Sequence, residues 1–465
     1  MRSIVRAAHR SSLILVVITL LLSGCAVERL ETNPLAGDKI GAKGRLDDVE
    51  ATKWTSEEVT DAALQDVEEF WSRTFSDVFG TPYEPLSGGF FPYGPTSNPV
   101  PCGPGLLYQE IAQNAFYCPS DDLIAWDADA LIAPLFDQFG GFTVGIVFAH
   151  EFGHAIQARA VSPRLPTIVL ELQADCFAGA WTKDVEEGNS KSFNVSGDDL
   201  DASVAGFLQL RDSIGTSANN ANAHGTGFDR IGAFQDGLEN GAAKCATYED
   251  TFPSVFEFGF LSEEDAQSGG NLPFSEVTSA TVEDLEAYWT ETFAARGDAW
   301  DPIDEVIPFD PALDAVRCGD RVFQEQEAEF AAFYCVTDDT VLFDNANLMP
   351  DLYRIGDFAM GFEIARQYSF AAQVRLGSQA DDLEAELQAD CFVGAYVAST
   401  IVGFGPTRPE DPNVDRLFSS PGDLDEAIIS FLAGVGADGG ASAFERVAEF
   451  RRGVLGAGDL EVCNP

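Results

Sequence analysis

Residues 150–154 read His-Glu-Phe-Gly-His. On a helix, positions four apart share one face. The His150 and His154 imidazoles can therefore grip a single divalent ion, and nitrogen ligands in this arrangement suit Zn2+. Glu151 then stands beside the open coordination position, where a carboxylate can take a proton from metal-bound water. A chance match in a chain of 465 residues falls at roughly the 1% level. The chain holds four histidines, His9, His150, His154 and His224, and two of them lie in this motif. The plain alternative is a pair of core or surface histidines on an ordinary helix.

A catalytic zinc needs a third protein ligand. Pro163 and Pro166 lie between His154 and Glu171, so the chain can turn and return as a second helix. Asp175 follows one helical turn later on the same face. Either acid can ligate while the other accepts the free ring N–H of a ligating histidine. His224, in His224-Gly225-Thr226-Gly227, is a candidate donor to the oxyanion of a tetrahedral intermediate. A turn histidine beside two glycines is its plain alternative.

These side chains need rigid elements. The apolar residues Val144, Ile146, Val147 and Phe148 make Phe142 to Ala158 a buried helix, and Gly153 allows another backbone to come close. Pro166 opens a second helix through Trp181. Ala63 to Phe75 reads as amphipathic, as does its counterpart from Val282, where Thr281 and Asp284 form a capping signature. Leu123–Asp127 is short, apolar and bounded by acids, which suits an edge strand along which an extended peptide can add.

The chain repeats itself. Asp66 to Trp71 matches Asp284 to Trp289, and Phe116-Tyr117-Cys118 matches Phe333-Tyr334-Cys335. Glu171-Leu172-Gln173-Ala174-Asp175-Cys176-Phe177 recurs unchanged from Glu386 to Phe392. Phe228-x-Arg230 and Phe234-x-x-Gly237 match Phe444-x-Arg446 and Phe450-x-x-Gly453. The cysteines fall in equivalent places, which favours pairing within each copy: Cys102 with Cys118, Cys176 with Cys245, Cys318 with Cys335, and Cys391 with Cys463. The second copy lacks the metal motif. Aligned on Gln157 and Gln373, it reads Arg366-Gln367-Tyr368-Ser369-Phe370, and His224 meets Gly440. Glu386 and Asp390 survive without nitrogens to share an ion. That copy is expected to cover the cleft, bind substrate or face a protein partner.

Arg2, Arg6 and Arg10 precede an apolar stretch, Leu13 to Leu22, which ends in Leu22-Ser23-Gly24-Cys25. This is the pattern of a bacterial lipoprotein signal, with Cys25 acylated and the chain held on the extracytoplasmic face of a membrane. Setting Cys25 aside leaves eight of the nine cysteines to pair outside the cytoplasm. No later stretch reads as long and apolar enough to cross a bilayer. The formal net charge is −49, with no basic run to follow a phosphate backbone, which excludes nucleic acid as a partner.

Four pieces together resemble the bacterial putative neutral zinc metallopeptidases, within a broader gluzincin-like group. They are His150 to His154 with Gln157, Phe116 to Pro119, Glu171 to Gly179, and His224-Gly225-Thr226. The resemblance covers most of the first copy and, more weakly, the second. It implies a zincin-like fold with two helices crossing at the metal and an upstream strand lining a cleft. It also implies His150, His154 and Glu171 as zinc ligands, Glu151 as base, and Asp175 in support. Ala155 stands where family members often carry a further histidine, the interval to Glu171 is short, and the duplication is unusual.

The expected class is α+β, predominantly helical, with two tandem zincin-like domains, each holding a small sheet. The expected divisions are a signal peptide (1–24), a lipidated tether (25–55), the active copy (56–250), a linker (251–278) and a degenerate copy (279–465). The expected activity is hydrolysis of a peptide or protein substrate. The rival is a non-catalytic binding or scaffold lipoprotein with a structural or vestigial zinc, for which an intact Glu151 has no use. A cell-wall peptide is the alternative substrate.

Overall fold

A computed structural model describes residues 54–463, apart from 162–163, 221–222, 257–258, 261, 381, 405–415 and 435–439. The expected signal segment with His9, the expected lipidation residue Cys25, the expected tether as far as residue 53, and Pro163 lie outside the described residues.

Helix α1 (Ser56–Phe79) opens on a capping box between Thr55 and Glu58 and stops at Gly80 in the left-handed conformation. Its apolar face, with Val59, Ala63, Val67, Phe70 and Trp71, is buried. A three-stranded sheet follows, from β1 (Gly89–Tyr93), β2 (Ala115–Cys118) and β3 (Leu123–Asp127). Its order is β1-β3-β2, with β1 parallel and β2 antiparallel to β3. The Leu123–Asp127 strand is therefore central, not an edge. All five of its residues are buried, and both rows of its backbone groups meet neighbouring strands. An unbroken apolar run suits a strand covered on both faces. No peptide can add to it.

Helix α2 (Ala133–Ala160) starts earlier than expected and carries a break at Gly140, where φ is 84°. By length and composition the run Ala128–Ala160 is apolar enough to cross a membrane, contrary to the sequence expectation. Here it is the central helix, and every residue from Phe142 to Gln157 is buried. After Pro166 the chain returns as α3 (Thr167–Glu186). The two helices touch at Gly153, where a Cβ would lie 2.8 Å from the Ala174 Cα. Helices α4 (Gly197–Gln209) and α5 (Gly227–Asn240) complete this half. α5 lies so close to α3 that a Cβ on Gly237 would fall 1.8 Å from the Cys176 carbonyl oxygen.

The expected linker is partly structured. It holds a short helix, Glu263–Ser268, and the start of α6 (Phe274–Arg296). Thr281 and Asp284 thus lie inside a helix rather than capping one. Both are buried, and Asp284 accepts a hydrogen bond from the Tyr396 hydroxyl at 2.9 Å. The helix begins after Pro273 instead, and its added turns bury Val277. A second sheet, β4 (Glu305–Phe309), β5 (Ala332–Cys335) and β6 (Thr340–Asp344), has the order β4-β6-β5 and the same strand directions as the first. Helices α7 (Asp357–Leu376), α8 (Asp382–Thr400), α9 (Asp423–Gly434) and α10 (Ala443–Leu455) follow.

Disulfides join Cys102 to Cys118, Cys176 to Cys245, Cys318 to Cys335 and Cys391 to Cys463. One hydrophobic cluster runs through both halves, from Trp71, Trp181 and Phe234 to Phe444, Phe450 and Trp289.

Candidate metal centre

α2 and α3 cross with His150 and His154 facing Glu171. The two Nε2 atoms are 3.1 Å apart, and each lies 3.4 Å from Glu171 Oε2. All three side chains are buried. The outer ring nitrogens are held from behind. His150 Nδ1 meets Asp175 Oδ1 at 2.7 Å, and His154 Nδ1 meets Gln157 Oε1 at 2.9 Å. Gln157 spends its amide N–H groups on the Leu170 carbonyl and Gln173 Oε1, so its oxygen faces the histidine.

These partners fix the tautomers. Both Nδ1 atoms face acceptors, so they carry the protons and leave two Nε2 lone pairs converging on a carboxylate. Neither Glu171 oxygen finds a hydrogen-bond donor, although the side chain is buried. Two lone pairs and an anion pointed at one spot repel each other unless a cation stands between them. Two imidazoles and a carboxylate are a donor set for catalytic zinc. The residues present therefore fit the ion.

Charge follows the same logic. Burial alone would raise the Glu171 carboxyl, but the facing imidazoles of His154 and His150, with His224 beyond them, hold it well below the usual carboxylate range. Burial likewise opposes ionisation of Asp175, and Arg230 and His150 outweigh it. Arg230, 1% exposed, reaches from α5 with Nε 2.8 Å from Asp175 Oδ2 and Nη2 2.9 Å from Oδ1. Asp175 thus serves the outer nitrogen of His150, while Glu171 faces the inner ones.

Glu151 is fully buried, and its Oε2 accepts the Tyr117 backbone N–H at 2.9 Å. That bond ties the motif helix to β2, which is an edge of the sheet. His224 lies in a loop, near enough for its ring to act electrostatically on Glu171. Asp212 accepts from the His224 backbone N–H at 2.7 Å, from the Gly225 N–H at 2.9 Å, and faces His224 Nδ1 at 3.1 Å.

In the sequence, Gln157 and Arg230 stand out only as matching letters, and nothing singles out Asp212 or the Tyr117 N–H. The usable signal was repetition, since Arg230 recurs as Arg446 and Gln157 as Gln373. In the second half, Arg446 Nε stands 2.8 Å from Asp390 Oδ2, and Gln373 donates to the Ala385 carbonyl. Arg366 Nε takes the place of an imidazole at 3.1 Å from Asp390 Oδ1. Burial disfavours its charge, but Asp390, Glu363 and Glu386 more than restore it. A Cβ on Gly440 would lie 3.1 Å from Glu386 Oε2, so this glycine occupies the neighbourhood that His224 occupies beside Glu171.

Two imidazoles and a carboxylate, buried together on crossed helices, form a group that could hold a metal ion. The chain belongs to the family described as putative neutral zinc metallopeptidase, whose model matches residues 3–248. It is similar to the uncharacterized protein YpfJ of Escherichia coli K12, 24% identical over 269 residues, covering 51% of this chain and 87% of that protein. It is also similar to the uncharacterized proteins Mb2605 of Mycobacterium bovis and Rv2575 of Mycobacterium tuberculosis H37Rv. Each is 33% identical over 93 residues, 17% of this chain and 30% of theirs. No solved structure matches.

Proposed function

We propose that this chain is an exported, lipid-anchored zinc metallopeptidase that hydrolyses peptide bonds in its first half, residues 56–250. The observation that carries the reading is the meeting of two Nε2 lone pairs and an unbonded buried carboxylate beside Glu151. His150, His154 and Glu171 would hold the ion. Bound there, zinc supplies Lewis acidity to a water molecule and to the scissile carbonyl. Glu151 takes the proton from the attacking water and passes it to the leaving amine. Its Oε2 stays on the Tyr117 N–H, which keeps the carboxylate in one orientation. Asp175 and Gln157 hold the imidazoles with Nε2 inward. His224, held by Asp212 at Nδ1, donates from its ring to the developing oxyanion.

Residues 279–465 are in this reading a duplicated copy that has lost its histidines, with 251–278 as the connection. The matching segments and the identical strand order of the two sheets support it. The anchor is a lipid on Cys25, supported by the leader sequence. It is tested by mass spectrometry of the mature N-terminus and by release of the Cys25→Ala protein from membranes.

The activity is tested with Glu151→Gln beside wild type on a peptide library, with zinc measured in both. Retained zinc with cleavage lowered by ~10²–10⁴ is expected for loss of a general base. Equal cleavage by the two proteins would remove Glu151, and the proposal with it.

A further inference from the structure

We propose that Asp425, contributed by the second half, is a positioning residue for the metal centre of the first. Asp425 lies on α9 and is 5% exposed. Its Oδ1 accepts the Phe228 N–H at 2.9 Å and its Oδ2 the Gly227 N–H at 3.2 Å. These N–H groups open α5, where a helix has no internal acceptors to offer and an anion is favoured. Oδ2 also pairs with Arg211 Nε at 3.0 Å.

Both contacts lead to the site. Three residues after Gly227, Arg230 grips Asp175, and Asp175 grips His150. Directly after Arg211, Asp212 holds His224 by its backbone and its ring. One carboxylate from the second half thus pins the two ends of the segment that carries His224 and orients a ligand.

The reverse contact exists as well. Asp201 on α4 accepts the Phe444 N–H at 2.8 Å, in the first turn of α10. Phe228 lies 6.0 Å from Phe450, and Phe234 lies 6.1 Å from Phe444, between ring centroids. Phe228 matches Phe444 and Phe234 matches Phe450 in sequence, so each of these ring pairs is the other with the halves exchanged. Contacts in which i meets j and j meets i mark a twofold interface. The halves face each other as two subunits would, each capping the other's helix. The consequences differ, because beyond Asp201 the relay through Arg446 and Asp390 ends on Arg366, not on an imidazole.

This inference rests on the proposed zinc site, and Asp201 supplies its control. Zinc affinity is measured by chelator competition on the full chain, with cobalt(II) absorption as a report on ligand geometry and circular dichroism as a check on folding. Asp425→Asn should weaken zinc binding by about tenfold, the scale on which supporting contacts act, and alter the cobalt spectrum. Asp201→Asn should leave both unchanged. Should Asp425→Asn not fold, Arg211→Gln loosens the same carboxylate from the exposed side and takes its place with the same expectation. Equal effects of the Asp425 and Asp201 variants, or none from either, would overturn the proposal while leaving the zinc site standing. A wild-type protein that binds no zinc overturns both.

Discussion

Removing the Asp175 carboxylate should separate the stability of the site from its metal affinity. The carboxylate serves His150 Nδ1 at 2.7 Å and Arg230 at 2.8 and 2.9 Å, and all three side chains are buried. Asp175→Ala takes the carboxylate away from the Arg230 guanidinium, which is 1% exposed and keeps its bond to the Leu210 carbonyl. Removing one partner of a buried ion pair costs about 3–5 kcal/mol, a large share of the 5–15 kcal/mol typical of folded domains. His150 also loses its orienting partner, which should cost ~10–100-fold in zinc affinity, or about 1.4–2.7 kcal/mol. Adding Arg230→Met removes the charge that has lost its carboxylate, so the double variant should recover most of the stability and none of the zinc affinity. The assays are urea unfolding with chelator present and zinc competition at constant pH. A double variant as unstable as Asp175→Ala would refute the charge argument. A single variant with wild-type zinc affinity would refute the role assigned to the Asp175–His150 contact.

His150→Ala or Glu171→Gln should abolish stoichiometric zinc by elemental analysis, whereas Phe370→His alone, in the second half, should add none. Arg366→Leu should cost about 3 kcal/mol in unfolding, because it leaves Asp390, Glu363 and Glu386 with less positive charge among them; peptide cleavage by the folded fraction should not change. Replacing both Cys176 and Cys245 by serine opens a loop with a sequence separation of 69 and should cost about 4 kcal/mol in the chain-entropy model, read from urea midpoints. Burial, with the Asp425 charge adding to it, pushes the Asp229 carboxyl up to about 7, and burial with the Asp357 charge does the same for Asp423. Both groups therefore stay protonated in the folded chain after the unfolded chain has ionised. Stability should fall as pH rises from about 4 to about 7, and Asp423→Asn should flatten that slope in urea midpoints measured across the range.

The chemistry was legible because it is local. His150, Glu151 and His154 are fixed relative to one another by one helix, and Glu171 and Asp175 by the next, so spacing alone presents them on common faces. The division of labour between Glu171 and Asp175 was not legible, since either acid suits either task by periodicity. The crossing of α2 and α3 at Gly153 and Ala174 puts Glu171 against the inner nitrogens and Asp175 behind His150. The Leu123–Asp127 segment read as a strand, but its apolar run gave no sign of how many neighbours it would have. Thr281 and Asp284 carried a capping pattern that the packing of a longer helix overrode.

The amino-acid order by itself determined the types and spacing of the candidate ligands, the helices that bear them, the recurrence of short segments and the absence of histidines from the matching stretch 366–370, because each depends on residues near in sequence. Only the tertiary structure decided that Arg230 neutralises Asp175, that Arg366 stands among the surviving acids, and that Asp425 and Asp201 cross between the halves. Those contacts join residues up to 243 positions apart. Helical periodicity is silent at that range, and only the packing of two apolar faces into one core brings such residues together.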